Sequence, residues 1–117
     1  MSEDDKPLIW LEGEVKTPPF SAGARVEAGF LLRRLQQGEL LSLPHSRPMP
    51  KIAAKCFELR VRDRDHSWRI IYRIDDDAIV IAEVFSKKVG RTPRTVVNRC
   101  RDRLRAYDEA AGEDREA

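Results

Sequence analysis

At 117 residues, with 36% charged and 41% hydrophobic side chains, the chain is long enough for one domain with a two-layer core and too short for a second. No apolar stretch reaches membrane length, Ser2 to Lys6 do not resemble a leader, and Cys56 and Cys100 lack CxxC spacing. A soluble, cytoplasmic protein with no metal and no cofactor is therefore expected. Charge is unevenly spread: residues 1–15 and 108–117 each carry one basic and five acidic groups, while residues 16–50 carry five and two and residues 51–107 carry fifteen and eight. The ends are thus −4 each and the segments between them +3 and +7, a body of +10 that would attract phosphate backbones in a salt-dependent way. The chain divides into an acidic tail over 1–7, a domain over 8–107 and an acidic tail over 108–117.

In chain order, Leu8 to Leu11 form a short apolar run, and Pro18 and Pro19 prevent a helix from starting before Phe20. Ser21 then serves as an N-cap, and Ala24, Ala28, Leu31 and Leu35 follow at helical spacing, predicting an amphipathic helix that ends near Gly38. Residues 39–50, with Pro44, Pro48 and Pro50, read as a constrained loop. From Phe57 to Asp63 the side chains alternate: Phe57, Leu59 and Val61 on one side, Glu58, Arg60 and Arg62 on the other. From Trp68 to Ile74 the alternation recurs, with Trp68, Ile70, Tyr72 and Ile74 facing away from Arg69, Ile71 and Arg73. A turn at Asp65 and His66 would set Arg62 opposite Arg69, Leu59 opposite Tyr72 and Glu58 opposite Arg73, gathering four arginines on one wet surface. A second turn at Asp76 and Asp77 pairs Ile74 with Ile79 and Tyr72 with Ile81. Ile79 to Phe85 is apolar on both sides apart from Glu83, which predicts an interior strand.

Thr92 followed by Pro93 marks a helix start, and Val96, Val97, Cys100, Leu104 and Tyr107 make one apolar stripe after it. On the same helix Arg99 and Arg103, and Arg101 and Arg105, form two rows of like charge that repel each other, so an anionic surface is expected there. Residues 109–117 are expected to fray. Trp68, Tyr72 and Phe85 fall on the apolar side and read as core. His66 sits at the hairpin tip and His45 in the proline-flanked loop. The glycines are scattered singly, without a phosphate-cradling pattern.

Glu58-Leu59-Arg60, the run WRIIYRID with Arg69 and Tyr72, and VFSKK followed by Thr92-Pro93 together resemble the RelE/ParE toxin superfamily, within it the phage-derived HigB-like toxins of type II toxin–antitoxin systems. The resemblance covers roughly residues 8–107. It implies a small α+β fold in which helical elements cover one face of an antiparallel sheet and the other face is a concave basic groove. It also implies a ribosome-dependent endoribonuclease that cleaves messenger RNA, with a helix-turn-helix antitoxin, the ribosome and mRNA as partners. The ParE-like branch, which inhibits DNA gyrase, is the alternative, as is a non-catalytic RNA-binding relative.

Attack by a ribose 2′-hydroxyl on the adjacent phosphate needs a base, an acid for the leaving 5′-oxygen, and cations around the transition state. Arg69 matches the family's strand arginine facing the scissile phosphate, and Lys87 and Lys88 fall where the family places basic residues after its last strand. Arg60, Arg62, Arg73 and Arg94 are further phosphate ligands in this reading. Relatives place lysines on the first hairpin strand, where this chain has Cys56 and Glu58 with Lys51 and Lys55 upstream. Others use a tyrosine or histidine near the last helix, where this chain has Val96, Val97 and Asn98. Glu58 as base and Lys55 or Lys87 as acid complete the candidate set. Arg69 is expected to be solvated, so that its truncation leaves the fold intact.

Overall fold

The Ser21 backbone is extended and its hydroxyl accepts the Ala24 amide at 3.1 Å, opening α1 (Ala22–Gln36) where the capping signal places it. In the computed structural model, which describes residues 5–87 and 90–116, α1 buries Ala24, Ala28, Leu31, Leu32 and Leu35. Gly38, at φ +93°, then turns the chain away from the helix. Of the acidic amino-terminal tail, Asp5 pairs with Arg33 at 2.6 Å, and the Lys6 amide donates to the Gln36 carbonyl, docking this stretch on the end of α1.

Five strands form one sheet in the order β1-β5-β4-β3-β2: β1 (Leu8–Trp10), β2 (Ser46–Pro48), β3 (Cys56–Asp63), β4 (His66–Ile74) and β5 (Ile79–Lys87). The fold is α+β, as the element order implies. The sheet is mixed rather than antiparallel, because β1 runs parallel to β5, a relation that a three-residue run cannot signal. Within the loop expected over 39–50, Ser46–Pro48 pairs with β3 as a short edge strand. Proline is tolerated there because an outer edge needs no amide donor.

The first hairpin turns at Arg64 and Asp65, one residue earlier than predicted, with Arg64 at φ +53°. Leu59 therefore lies opposite Ile70 and Arg60 opposite Arg69, while Arg73 faces Cys56. The slip is two residues, so every side chain keeps its predicted face and only its neighbours change. The second hairpin pairs Ile74 with Ile79 and Tyr72 with Ile81 as predicted, and β5 is interior. A bulge between Ile71 and Tyr72 then shifts the pairing, so Ile71 opposes Glu83, Arg69 opposes Phe85 and Ser67 opposes Lys87. An unbroken ladder would have put Val84 and Ser86 beside the arginines instead.

The two helices lie on opposite faces of the sheet, which corrects the expectation that one face is bare. α1 packs on Leu59, Val61, Trp68, Ile70, Tyr72, Ile79 and Ile81, and Phe20 stacks on Trp68 with ring centroids 4.1 Å apart. The second face carries Cys56, Ile71, Val80 and Ala82, covered by Val96, Cys100 and Leu104 of α2 (Arg94–Glu116). Phe85, displaced by the bulge, packs against this second cluster rather than the first. α2 continues through residues 109–116, whose alanine and glutamate content favours helix over the fraying expected. Both thiols are free and buried; desolvation pushes Cys56 up to about 11 and Cys100 to about 12.

Gly13 adopts φ +85°, and a Cβ there would approach Val84 Cβ to 2.8 Å. Gly13→Ala should lower stability by about 2 kcal/mol, from the left-handed backbone and the enforced shift of Val84; the urea midpoint measures it. Asp63 accepts the Ser21 amide and Trp68 Nε1, both at 2.9 Å, and these bonds hold its carboxyl down from 3.8 to about 2. Its contribution to stability is therefore complete above pH 4 and lost as pH falls toward 2, a loss that should be absent from Asp63→Asn in melts taken across that range.

Candidate functional site

Alternation along β3 points Glu58 to the α2 face, where its carboxylate is fully buried. Its Oε1 accepts from Arg69 on β4 and Arg47 on β2, both at 3.2 Å, and its Oε2 accepts the Thr92 hydroxyl from the segment entering α2. One carboxylate thus ties together two strands flanking its own and the start of a helix. Arg69 is 7% exposed and its Nε has no hydrogen-bond partner among the described residues. Burial lowers its pKa, opposed by Glu58 and reinforced by Arg60, which stands directly across the ladder.

Lys87 completes the group. The bulge brings it to this face, 8% exposed, with no ion pair among the described residues. Desolvation holds its ammonium below the ordinary lysine value; Glu58 opposes this, and Arg69, Arg47 and Arg60 add to it. Beside these groups a depression of about 460 Å³ opens to solvent, lined by Arg60, Arg62, Arg64 and Arg69 together with Asp65 and His66 at the hairpin turn. Four arginines outnumber the one carboxylate of this lining, Asp65, so the wall can take up the negative oxygens of a phosphodiester. Lys87, with its lowered pKa, can pass a proton nearer neutral pH than a free lysine does.

Residues 19–105 match the model of the family described as phage derived protein Gp49-like (DUF891), well over half of the chain. The chain belongs to that family. The Gp49-like family is RelE-like and toxin-like, which the α+β fold accompanies. No curated protein and no solved structure matches the chain. Arg47, Glu58, Arg60, Arg69, Lys87 and Thr92 all lie inside the matched span, whereas β1 and the last turns of α2 lie outside it.

Of the residues singled out in the sequence, this Gp49-like fold brings Glu58, Arg60, Arg69 and Lys87 together, with Arg62 lining the adjoining depression. Arg69 is not solvated as expected, because it is buried against a carboxylate that Arg47 of β2 and Thr92, just ahead of α2, also hold. Arg73 is withdrawn from the group: it donates to Asp75 at 2.7 and 3.0 Å and to Asp108 of α2 at 2.6 and 3.0 Å. Those carboxylates raise its pKa and consume the donors a phosphate would need, and they show that Asp108, assigned to the acidic tail, belongs to the folded body. Lys55 sits in a turn at φ +61°, beside Phe57, Ile74 and Asp75 at the other end of the hairpin. Arg94 begins α2 and lines a separate depression, and Lys88 lies outside the described residues.

The anion predicted for the arginine rows of α2 is internal on one side. Arg99 grips Glu83 through two bonds of 3.0 and 2.9 Å, and Arg103 reaches it at 2.6 Å. Burial would raise the Glu83 carboxyl, but these bonds hold it below the ordinary value. Neither histidine enters the group: His66 packs edge-on against Trp68, and the His45 carbonyl accepts the Arg60 amide. Sequence reasoning missed Arg47 and Thr92. Prolines at 44, 48 and 50 favour extended chain around Arg47, which was the available signal for an edge strand. Thr92 was legible only as a helix start, and its hydroxyl serves Glu58 instead.

Proposed function

We propose that this Gp49-like chain is the toxin of a type II toxin–antitoxin pair and cleaves messenger RNA on the ribosome. What supports this most is the group of Arg47, Arg60, Arg69 and Lys87 around one buried carboxylate beside an open, arginine-lined depression. In this reading Arg60 and Arg69 face the non-bridging oxygens of the scissile phosphate, and Arg62 holds the neighbouring one. A ribose 2′-hydroxyl attacks the phosphorus and gives up its proton to solvent water in the open depression, the bond to the 5′-oxygen breaks, and Lys87 supplies the proton to that leaving oxygen. Glu58, buried and bonded on both oxygens, is a positioning residue: it fixes Arg69, Arg47 and Thr92 rather than abstracting a proton. Ribosome, message and a helix-turn-helix antitoxin are the partners in this proposal, and the site of action is the cytoplasm.

The test is a purified translation system, with cleavage of ribosome-bound message mapped by primer extension. Specific cuts that vanish in Lys87→Met support the reading. Intact message together with inhibited DNA supercoiling by gyrase would overturn it in favour of a ParE-like activity, and intact message with retained RNA binding would leave a non-catalytic relative.

A further inference from the structure

The arginines of α2 divide by whether a carboxylate meets them. Arg99 and Arg103 are satisfied by Glu83, and Arg105 lies 3.6 Å from Asp102. Arg94 and Arg101, two helical turns apart on another side of the helix, are exposed and have no ion pair among the described residues. Lys51, from the loop after β2, and Arg91, before α2, face the same space and are equally unpaired. The depression these four enclose is about 760 Å³, and among the described residues its remaining lining is Thr92, Pro93, Val97 and Asn98, with no carboxylate. Four unneutralised cations around one hollow repel each other, and the first turn of α2 adds no acidic residue to relieve them.

A depression of about 410 Å³ adjoins the hollow, sharing Lys51, Arg91, Thr92 and Val97 with it and lined also by Arg47 and Pro48. Arg47 and Thr92 bond Glu58, whose third partner, Arg69, lines the arginine-rich wall, so one carboxylate links the two basic surfaces. Val97 and Pro93 supply apolar surface for ribose and base, while the cations are spaced around it for phosphates.

We propose that Lys51, Arg91, Arg94 and Arg101 form a second RNA-backbone subsite that holds a stretch of strand outside the cleaved linkage and sets affinity rather than rate. It rests on the reading of this face as an RNA surface, but it requires no cleavage. An acidic protein segment is the competing occupant. RNA is favoured because Arg47 of the adjoining depression and Arg69 of the other basic wall are held on one carboxylate, so one phosphate backbone can meet both surfaces.

The experiment measures binding of the full chain to a short single-stranded 2′-O-methyl RNA, which lacks the attacking hydroxyl, by fluorescence anisotropy over a salt series. Lys51→Gln/Arg94→Gln/Arg101→Gln should lower the salt dependence of log affinity by about 2, near 0.7 for each phosphate that a cation no longer neutralises on a single strand. Its melting temperature should be at or above the parent's, since these side chains are exposed and their mutual repulsion is relieved, and Lys87→Met should keep at least roughly two thirds of the parental salt slope. A drop in slope for the triple variant supports the subsite even if no message is cut in the translation assay, which would count against the nuclease reading alone. An unchanged slope overturns the subsite, as does unchanged RNA binding with lost binding to poly-L-glutamate, which would give the hollow to an acidic polypeptide.

Discussion

Glu58→Ala should lower the stability of the domain by about 3–5 kcal/mol, a large part of the roughly 5–15 kcal/mol typical of a whole domain. The loss comes mainly from the groups that remain behind. Arg69 would stay buried with an already unpartnered Nε and no counter-ion, Thr92 would lose its acceptor, and Arg47 would be released from β3. The repulsion between Arg60 and Arg69, opposed in the ladder, would stand unscreened. Glu58→Gln keeps the shape and the accepting oxygen and should fall between the parent and alanine. Urea unfolding checks both. Arg69→Met combined with Glu58→Gln should recover part of the loss, because two well-packed neutral groups replace a buried charge left alone. A decrease below about 1 kcal/mol for Glu58→Ala would mean that water reaches this carboxylate freely.

The two helices and strands β3 to β5 were legible because each carries a strong local signal, whereas the three-residue β1 and β2 carry none so strong. The spacing of Ala24, Ala28, Leu31 and Leu35 marks the longest apolar stripe of that helix as the face to bury, and the proline pair followed by Ser21 fixes where the helix begins. The faces of β3 and β4 also followed from alternation, and they survived an error in the turn because a two-residue slip preserves side. The placement of α2 was harder. Its signal was present in Cys56, Ile71 and Val80, three apolar positions among the arginines that require cover, but the charged neighbours outweighed them in a period-of-two reading. Partner choice was beyond alternation altogether. Arg69 and Arg73 occupy equivalent positions in the sequence pattern, yet one joins the site and the other is clamped by Asp75 and Asp108, because only the fold decides which carboxylates meet each end of β4.

The bulge in β5 leads to the second large effect. By shifting the ladder at Ile71 and Tyr72 it turns Phe85 and Lys87 toward the arginines, and so buries an ammonium among cations with no ion pair of its own among the described residues. A fold gains nothing from such a group: its folded pKa lies below the unfolded one, so at neutral pH the charged side chain opposes folding, and the opposition fades as pH rises through the unfolded value. Lys87→Met, similar in length and without the charge, should therefore melt at or above the parental temperature while losing about 10²- to 10⁴-fold in message cleavage, the range usual for one proton-transfer group. In the parent, cleavage should decline on the alkaline side at a pH below the ordinary lysine value of 10.5, because the acid form is the working form and desolvation depresses its pKa. Lys87→Arg would keep the charge without a proton to release in that range, so it should bind RNA and cut poorly. Calorimetry paired with single-turnover cleavage separates the two roles: activity lost along with stability would assign Lys87 to the frame, whereas activity lost from a protein that melts higher assigns the proton to it.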